Sequence, residues 1–515
     1  MRYAKLIVHG KLLGRWVGLL STLAPSAALA VAALALMPGL AAGQPPSPAP
    51  ALSGETIIAI PGATESLALA SCIQAALESN AELQAVREGR GELAGQMVQA
   101  RAIGLPTLDL SGTWTRGRDP SFAFDQTFGG GSEGFGDSAL DSLLGGISFI
   151  PSPEDIPAQT FWRTSLNAHW ELQPTLIYNA ISAAGLGIRR QEILIADAEQ
   201  KTTEAVMNAY HAAVLAGESV AALDADLAAK AEFLETTRHR LRLGLSTPLD
   251  TLRAAVGYAN LLPQRRSAEQ RLRDAGANLN VLIGRPAYTP IAVETDAPLE
   301  LEVIDPDLAV TAVTRRPDIS ELDVYQRILH RSRGAIKSEH HPSLAADASY
   351  GYVTGELPEL TDEGHDFWSA SVTLKVPLFD GLRTKGRIQE AEAQIRRARL
   401  QCEEALRRAR LEILSILGDL EAARRNHAAA KLNRIAADDA LTQVSLRYEL
   451  GKADYISVLD VQADRLLAQS NRIQARNEVL TLTASLKRAM GFAPTVPLRG
   501  ILDALRRERA EESPD

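Results

Sequence analysis

The chain has 515 residues, long enough for three or four ordinary domains, but only 5% of it is aromatic, and it holds just two cysteines and five methionines. Cys72 and Cys402 cannot build a disulfide framework or a four-cysteine metal site, and five methionines cannot build a methionine-rich metal relay. Lys plus Arg number 54 against 63 Asp plus Glu, a formal charge of -9 with no long basic run, which argues against nucleic-acid binding.

Arg2, Lys5, Lys11 and Arg15 precede an uncharged stretch over residues 16–43, with small-residue cleavage patterns at Ala28-Leu29-Ala30 and Ala41-Ala42-Gly43. Residues 1–43 therefore read as a secretory signal peptide. The alternative is a retained membrane anchor, but Pro25 and Pro38 interrupt the stretch and a Pro-rich linker follows over residues 44–66. Beyond Gly43 no uncharged apolar run approaches the length of a transmembrane helix.

The rest of the chain repeats itself. Asn80-Ala81-Glu82-Leu83 and Pro106-Thr107-Leu108 recur as Arg316-Pro317-Asp318-Ile319 and Pro342-Ser343-Leu344, both at an offset of 316 - 80 = 236. Arg240-Leu241-Arg242-Leu243-Gly244 matches Arg447-Tyr448-Glu449-Leu450-Gly451 at an offset of 451 - 244 = 207. The offset shrinks because the first copy carries a Gly-, Ser- and Asp-rich insertion over about residues 118–158. The copies occupy residues 67–290 and 305–492, and a charged tail follows over 493–515.

Each copy reads as helix, two strands, very long helix, helix. Helices are expected over residues 67–102, 181–242 and 248–283, then 308–339, 381–448 and 455–490. The segment 381–448 has no proline and its seam runs Ile388, Ala391, Ile395, Ala398, Cys402, Ala405, Ala409, Ile413, Ile416, Leu420 and Ala423, mostly in steps of 3 and 4, as in a coiled coil. Cys402 sits on that seam and reads as a small core residue.

Strands are expected over residues 107–117, 160–173, 343–355 and 367–378, each alternating apolar and polar. The first sets Leu108, Leu110, Gly112 and Trp114 against Asp109, Ser111 and Thr113; the last sets Trp368, Ala370, Val372 and Leu374 against Ser369, Ser371 and Thr373. Their length suits a tilted membrane strand. Four of the five tryptophans, Trp114, Trp162, Trp170 and Trp368, lie in them, as an interfacial aromatic girdle would require. The competing reading is a soluble sandwich with an ordinary core. Four strands cannot close a barrel, and an open edge in lipid leaves backbone groups unsatisfied. Closure takes several chains, and three copies supply twelve strands around a polar interior. The insertion, about Asp119 to Pro157, then reads as an extracellular loop at the end away from the helices.

Asn80-Ala81-Glu82-Leu83 with Pro106, Pro377-Leu378-Phe379-Asp380-Gly381, and Arg447-Tyr448-x-x-Gly451 with Val458-Leu459-Asp460 together resemble the outer membrane efflux protein family, the TolC-like channels. The resemblance implies a mainly α protein with a transmembrane β-barrel: a homotrimer whose twelve-stranded barrel continues into an α-helical periplasmic tunnel. It implies an outer membrane channel of a tripartite efflux or secretion system in a Gram-negative envelope. Such a channel conducts solutes passively and works with a periplasmic adaptor, an inner membrane transporter and outer membrane lipids. It assigns Gly244 and Gly451 to helix tips that dock the adaptor, and Asp250, Tyr448 and Asp460 to the gate and acidic entrance. The other reading of Asp250 and Asp460 is dipole complementation in the first turns of their helices. Ser457 and Ala453 stand where the family carries a second acid and a gating arginine, so those roles do not transfer.

Gly130-Gly131-Ser132-Glu133-Gly134 fits the G-x-S-x-G pattern but lacks the strand-turn-helix context of a hydrolase elbow. His340-His341 beside Glu339, with Asp347 nearby, is a weak metal candidate at a helix-to-strand junction. No enzymatic activity, metal or cofactor is expected. The alternative function is a periplasmic adaptor or coiled-coil scaffold, which would share the signal and long helices but carry no membrane strands.

Overall fold

The computed structural model describes residues 66–117, 158–294, 299–356 and 364–512. The signal peptide, most of the linker and the expected extracellular loop with Ser132 lie outside the described residues. In chain order the elements are β1 (Ser66–Leu67), α1 (Leu69–Ser79), α2 (Ala81–Ala102), β2 (Thr107–Gly117) and β3 (Gln159–Leu172). Next come α3 (Pro174–Arg242), α4 (Pro248–Leu282), β4 (Ala292–Val293), α5 (Pro306–Thr311) and α6 (Pro317–Ser338). The chain continues with β5 (Ser343–Thr354), β6 (Asp366–Lys375), α7 (Arg383–Glu449), α8 (Tyr455–Ala489) and α9 (Leu498–Glu512). A two-stranded parallel sheet joins β1 to β4, and β2-β3-β5-β6 form a four-stranded sheet in that order.

Two compact units result. The described residues of the first fall in Pro106–Trp170 and Ala345–Thr373, the strand region; the second holds the helices and the two-stranded sheet.

The four-stranded sheet has no core of its own. β2 and β3 are antiparallel, with Thr107 opposite His169 and Trp114 opposite Trp162, whose rings stand 6.2 Å apart. On the apolar face Leu108 is 68% exposed, Trp368 75% and Val372 71%. No second layer covers these side chains among the described residues. The polar residues of the same strands bond one another. Asn167 Nδ2 donates to Asp109 at 2.9 Å, Ser111 and Ser165 hydroxyls meet at 2.9 Å, His169 pairs with Asp347 at 2.6 Å, and Ser349 meets Ser369 at 2.8 Å.

In the helical unit α3 spans 69 residues and α7 spans 67, roughly 100 Å each at helical rise. α3 packs on α4, and α7 on α8, as two long hairpins, with α8 also lying along α3. The buried stripe of α7 includes Ala391, Ala398, Ala409, Ile413, Leu420 and Ala423, all seam residues read from the sequence. Small side chains at those steps let the helices approach closely. Cys402 is half-buried.

The structure corrects three boundaries. The helix expected over residues 67–102 breaks at Asn80, whose side-chain oxygen accepts from Leu83 N–H at 3.0 Å and caps α2. The helix expected over 308–339 divides into α5, a 3-10 turn and α6, because Pro317 opens a new helix and cannot continue the old one. The segment 493–515, read as a charged tail, holds a docked amphipathic helix. Leu498, Ile501, Leu502 and Leu505 recur at helical spacing and are at most 2% exposed, packed with Leu308, Val313, Ile413, Leu486 and Met490.

The duplication is visible at atomic level where each hairpin ends. Asn80 donates to the Leu282 carbonyl at 3.2 Å, and its counterpart Arg316 donates to the Ala489 carbonyl at 3.3 Å. In each copy the residue that starts one helix closes the last turn of another. The second copy adds charge: Arg316 also bonds Asp318 at 3.0 and 2.9 Å and Glu412 at 2.6 Å.

Candidate functional site at the helix tips

The four long helices reverse at two tips, residues 243–247 and 450–454. At the first, Leu245 N–H reaches the Arg240 carbonyl at 2.9 Å and Gly244 N–H reaches Leu241 at 3.0 Å. At the second, Lys452 N–H reaches Arg447 at 2.8 Å and Gly451 N–H reaches Tyr448 at 3.1 Å. This double closure requires a left-handed residue, and Gly244 and Gly451 supply it with φ of +70° and +71°.

The returning helices are capped by the same two positions with their chemistry exchanged. In α4, Thr247 is the cap: its hydroxyl accepts from Asp250 N–H at 3.2 Å and donates to the Asp250 carboxylate at 2.7 Å. In α8, offset by 207, the carboxylate belongs to the cap, Asp454, which accepts from Ser457 N–H at 3.0 Å and from the Ser457 hydroxyl. Ser457 thus answers Asp250 across the duplication. The Thr247 hydroxyl bond holds the Asp250 carboxyl below its usual range, and the Ser457 hydroxyl does the same for Asp454.

Asp250 therefore does sit in the first turn of its helix and completes a capping box. Asp460 does not. It lies beyond the first turn of α8, is exposed, and makes no side-chain hydrogen bond among the described residues. Dipole complementation accounts for Asp250 and leaves Asp460 without a structural task. No hydrogen bond joins Asp250 to Tyr448.

Tyr448 is instead buried in an aromatic cluster between the hairpins. Its ring lies 5.4 Å from Phe233 and 6.4 Å from Tyr455, and Phe233 stacks on Tyr455 at 5.3 Å. The Arg240 guanidinium stands 4.8 Å from the Tyr448 ring centroid, while its Nη1 donates to the Tyr448 carbonyl at 3.4 Å. The Tyr455 hydroxyl is buried with no partner among the described residues; burial, with Tyr448 and Asp250 adding, pushes its pKa up to about 12. Phe233, Arg240 and Tyr455 escape a reading of the sequence alone. The trace they leave is that Tyr448 and Tyr455 flank Gly451 at a separation of seven residues.

The metal candidates disperse. His341 Nδ1 meets the Thr175 hydroxyl at 3.0 Å, Glu339 pairs with Arg387, and Asp347 pairs with His169. Among the described residues no group of three or more metal-ligating side chains is assembled.

A family model described as outer membrane efflux protein matches residues 308–492, the second copy. Over those residues the chain is similar to the outer membrane efflux protein family. It is 27% identical to the outer membrane protein OprJ of Pseudomonas aeruginosa over 258 residues, 49% of this chain and 53% of that protein. It is 23% identical to the outer membrane protein TolC of Vibrio cholerae over 332 residues, 63% of this chain and 76% of that protein. The matched stretch thus spans about half the length of OprJ. In fold, the chain superposes on the outer membrane protein VceC of Vibrio cholerae with a TM-score of 0.66, covering 82% of this chain and 96% of that one at 20% identity.

Proposed function

We propose that the chain is the outer membrane channel of a tripartite efflux or secretion system, passively conducting solutes delivered by a periplasmic adaptor and an inner membrane transporter. The observation that carries this reading is the four-stranded sheet. One of its faces exposes Leu, Val and Trp while the other is a hydrogen-bonded polar ladder, the division a lipid-facing wall with a hydrated interior requires. Among the described residues both sheet edges, β2 and β6, are open. Closure in lipid then asks for identical neighbours, and a homotrimer gives twelve strands. The similarity of residues 308–492 to the outer membrane efflux protein model supports the role in efflux. An adaptor or scaffold has no use for such a sheet.

Membrane fractionation with unboiled gel electrophoresis tests this. The expected result is an outer membrane protein running at three chain masses until boiled; a soluble monomer would overturn it.

Within that reading Gly244 and Gly451 shape the adaptor-facing tips, and the closed entrance is held by Tyr448 through its packing on Phe233 and Tyr455 and by Asp250 through the cap of α4. Asp460, exposed and unoccupied by any local bond, supplies its acidic ring. Three symmetry-related carboxylates raise the local cation concentration. In planar bilayers Asp460→Asn is expected to lower the cation-over-anion preference roughly several-fold, leaving the oligomer intact. Unchanged selectivity would remove the ring and leave the channel reading standing.

A further inference from the structure

The two hairpins meet along α3 and α8, and polar pairs are spaced along that seam. Arg488 pairs with Glu204, which also accepts from the Ser485 hydroxyl at 2.6 Å. Further along, Arg476 pairs with Glu218 at 2.9 Å, and Lys230 donates to Gln462 at 3.1 Å. Between the first two pairs stands His211, 3% exposed, beside a small void that it lines with Val214, Glu218, Ile473, Arg476 and Asn477. The Asn477 Oδ1 is buried with no partner among the described residues.

We propose that His211 is an acid-sensitive latch between the hairpins: neutral, it fills the buried seam beside the Arg476–Glu218 pair, and protonated, it drives the seam apart. The geometry gives the reason. A second cation there would share a dry site with the Arg476 guanidinium, whose charge Glu218 already balances. His427 on α7, whose ring also lies in the field of Arg476, Arg472 and Lys431, adds no anion to the neighbourhood.

The direction in pH follows. Burial, with Arg476 alongside, pushes the His211 pKa down to about 4, against an ordinary value of 6.5. A group whose pKa is depressed in this way, being a base, stabilises the closed seam above pH 6.5. That contribution is lost as pH falls from 6.5 toward about 4. Asp226, farther along α3 and facing Lys230 and Arg465, works the other way. Burial pushes its carboxyl up, so acid neutralises it in place. The comparison must therefore isolate His211. The seam titrates whether or not the chain forms a duct.

The test uses the full chain in outer membranes. A cysteine probe replaces buried Ile473, and its labelling rate is compared with and without His211→Gln at each pH, so that thiol ionisation and Asp226 cancel. The ratio of rates is expected near one at pH 7.5 and to rise to about tenfold at pH 5.5, one unit below the unperturbed histidine value. A flat ratio between pH 7.5 and 5 would overturn the latch. A second measurement needs no substitution at His211. Hydrogen exchange at the imidazole C2 of the unmodified protein should give His211 a titration midpoint below pH 5, and a midpoint near 6.5 would overturn the proposal equally.

Discussion

A stop codon at Leu498 is expected to abolish the assembled protein. Leu498, Ile501, Leu502 and Leu505 are all but completely buried against α5, the turn after it, α7 and α8. At about 1.5–3 kcal/mol for each such side chain, their loss removes roughly 6–12 kcal/mol, as much as a whole domain ordinarily has to spare. The truncation also bares Leu308, Val313, Ile413 and Met490 to water. Immunoblots of membrane fractions should show little or no oligomer and rapid degradation. Arg506→Ala with Arg507→Ala, on the exposed face of the same helix, should change stability by no more than about 0.5 kcal/mol per site. Wild-type levels of the truncated protein would show that α9 is dispensable.

Arg316→Met is expected to cost about 1–3 kcal/mol, the loss of charge-assisted hydrogen bonds whose acceptors, Asp318 and Glu412, are 48% and 35% exposed. The guanidinium is buried and ties three partners, Asp318, Glu412 and the Ala489 carbonyl. Its removal leaves the Asp318 and Glu412 carboxylates without that cation, with Arg488 still beside Glu412. Lysine should not rescue, because a point charge cannot reproduce the forked pair. Asn80→Ala, at the uncharged counterpart, should cost only about 1 kcal/mol. Thermal melting of the purified protein checks both, and an Arg316→Met protein melting like wild type would refute the lock.

Periodicity carried much of this architecture. The seam from Ala391 to Ala423 could be read because a long helix repeats one local rule, and the tips could be read because Gly244 and Gly451 mark positions that other residues avoid. What stayed hidden depends on partners distant in sequence. Arg316 reads as an ordinary N-terminal residue until Glu412 and Ala489 arrive beside it. His211 looks like any helical histidine until Arg476 faces it from α8. α9 was obscured for another reason: its charged residues outnumber its apolar ones, so composition reads as a tail although four apolar side chains share one face. The Asp250 reading divided. Its capping role follows from Thr247 three residues earlier, a local pattern, whereas the isolation of Asp460 appears only once Asp454 is seen to hold the helix start.

The bare sheet bears on how the protein is made. A newly delivered subunit presents two unpaired strand edges and a wall of Leu, Val and Trp to an aqueous compartment, a ready template for aggregation. The helical unit buries its own clusters within one chain, yet Leu400, Leu411, Leu432 and Leu467 on its long helices stay 59–69% exposed. On the homotrimer proposed above, the strands gain their stabilisation when like subunits meet. On that proposal assembly includes a concentration-dependent step, and a factor that shields β2 and β6 before it would raise the yield.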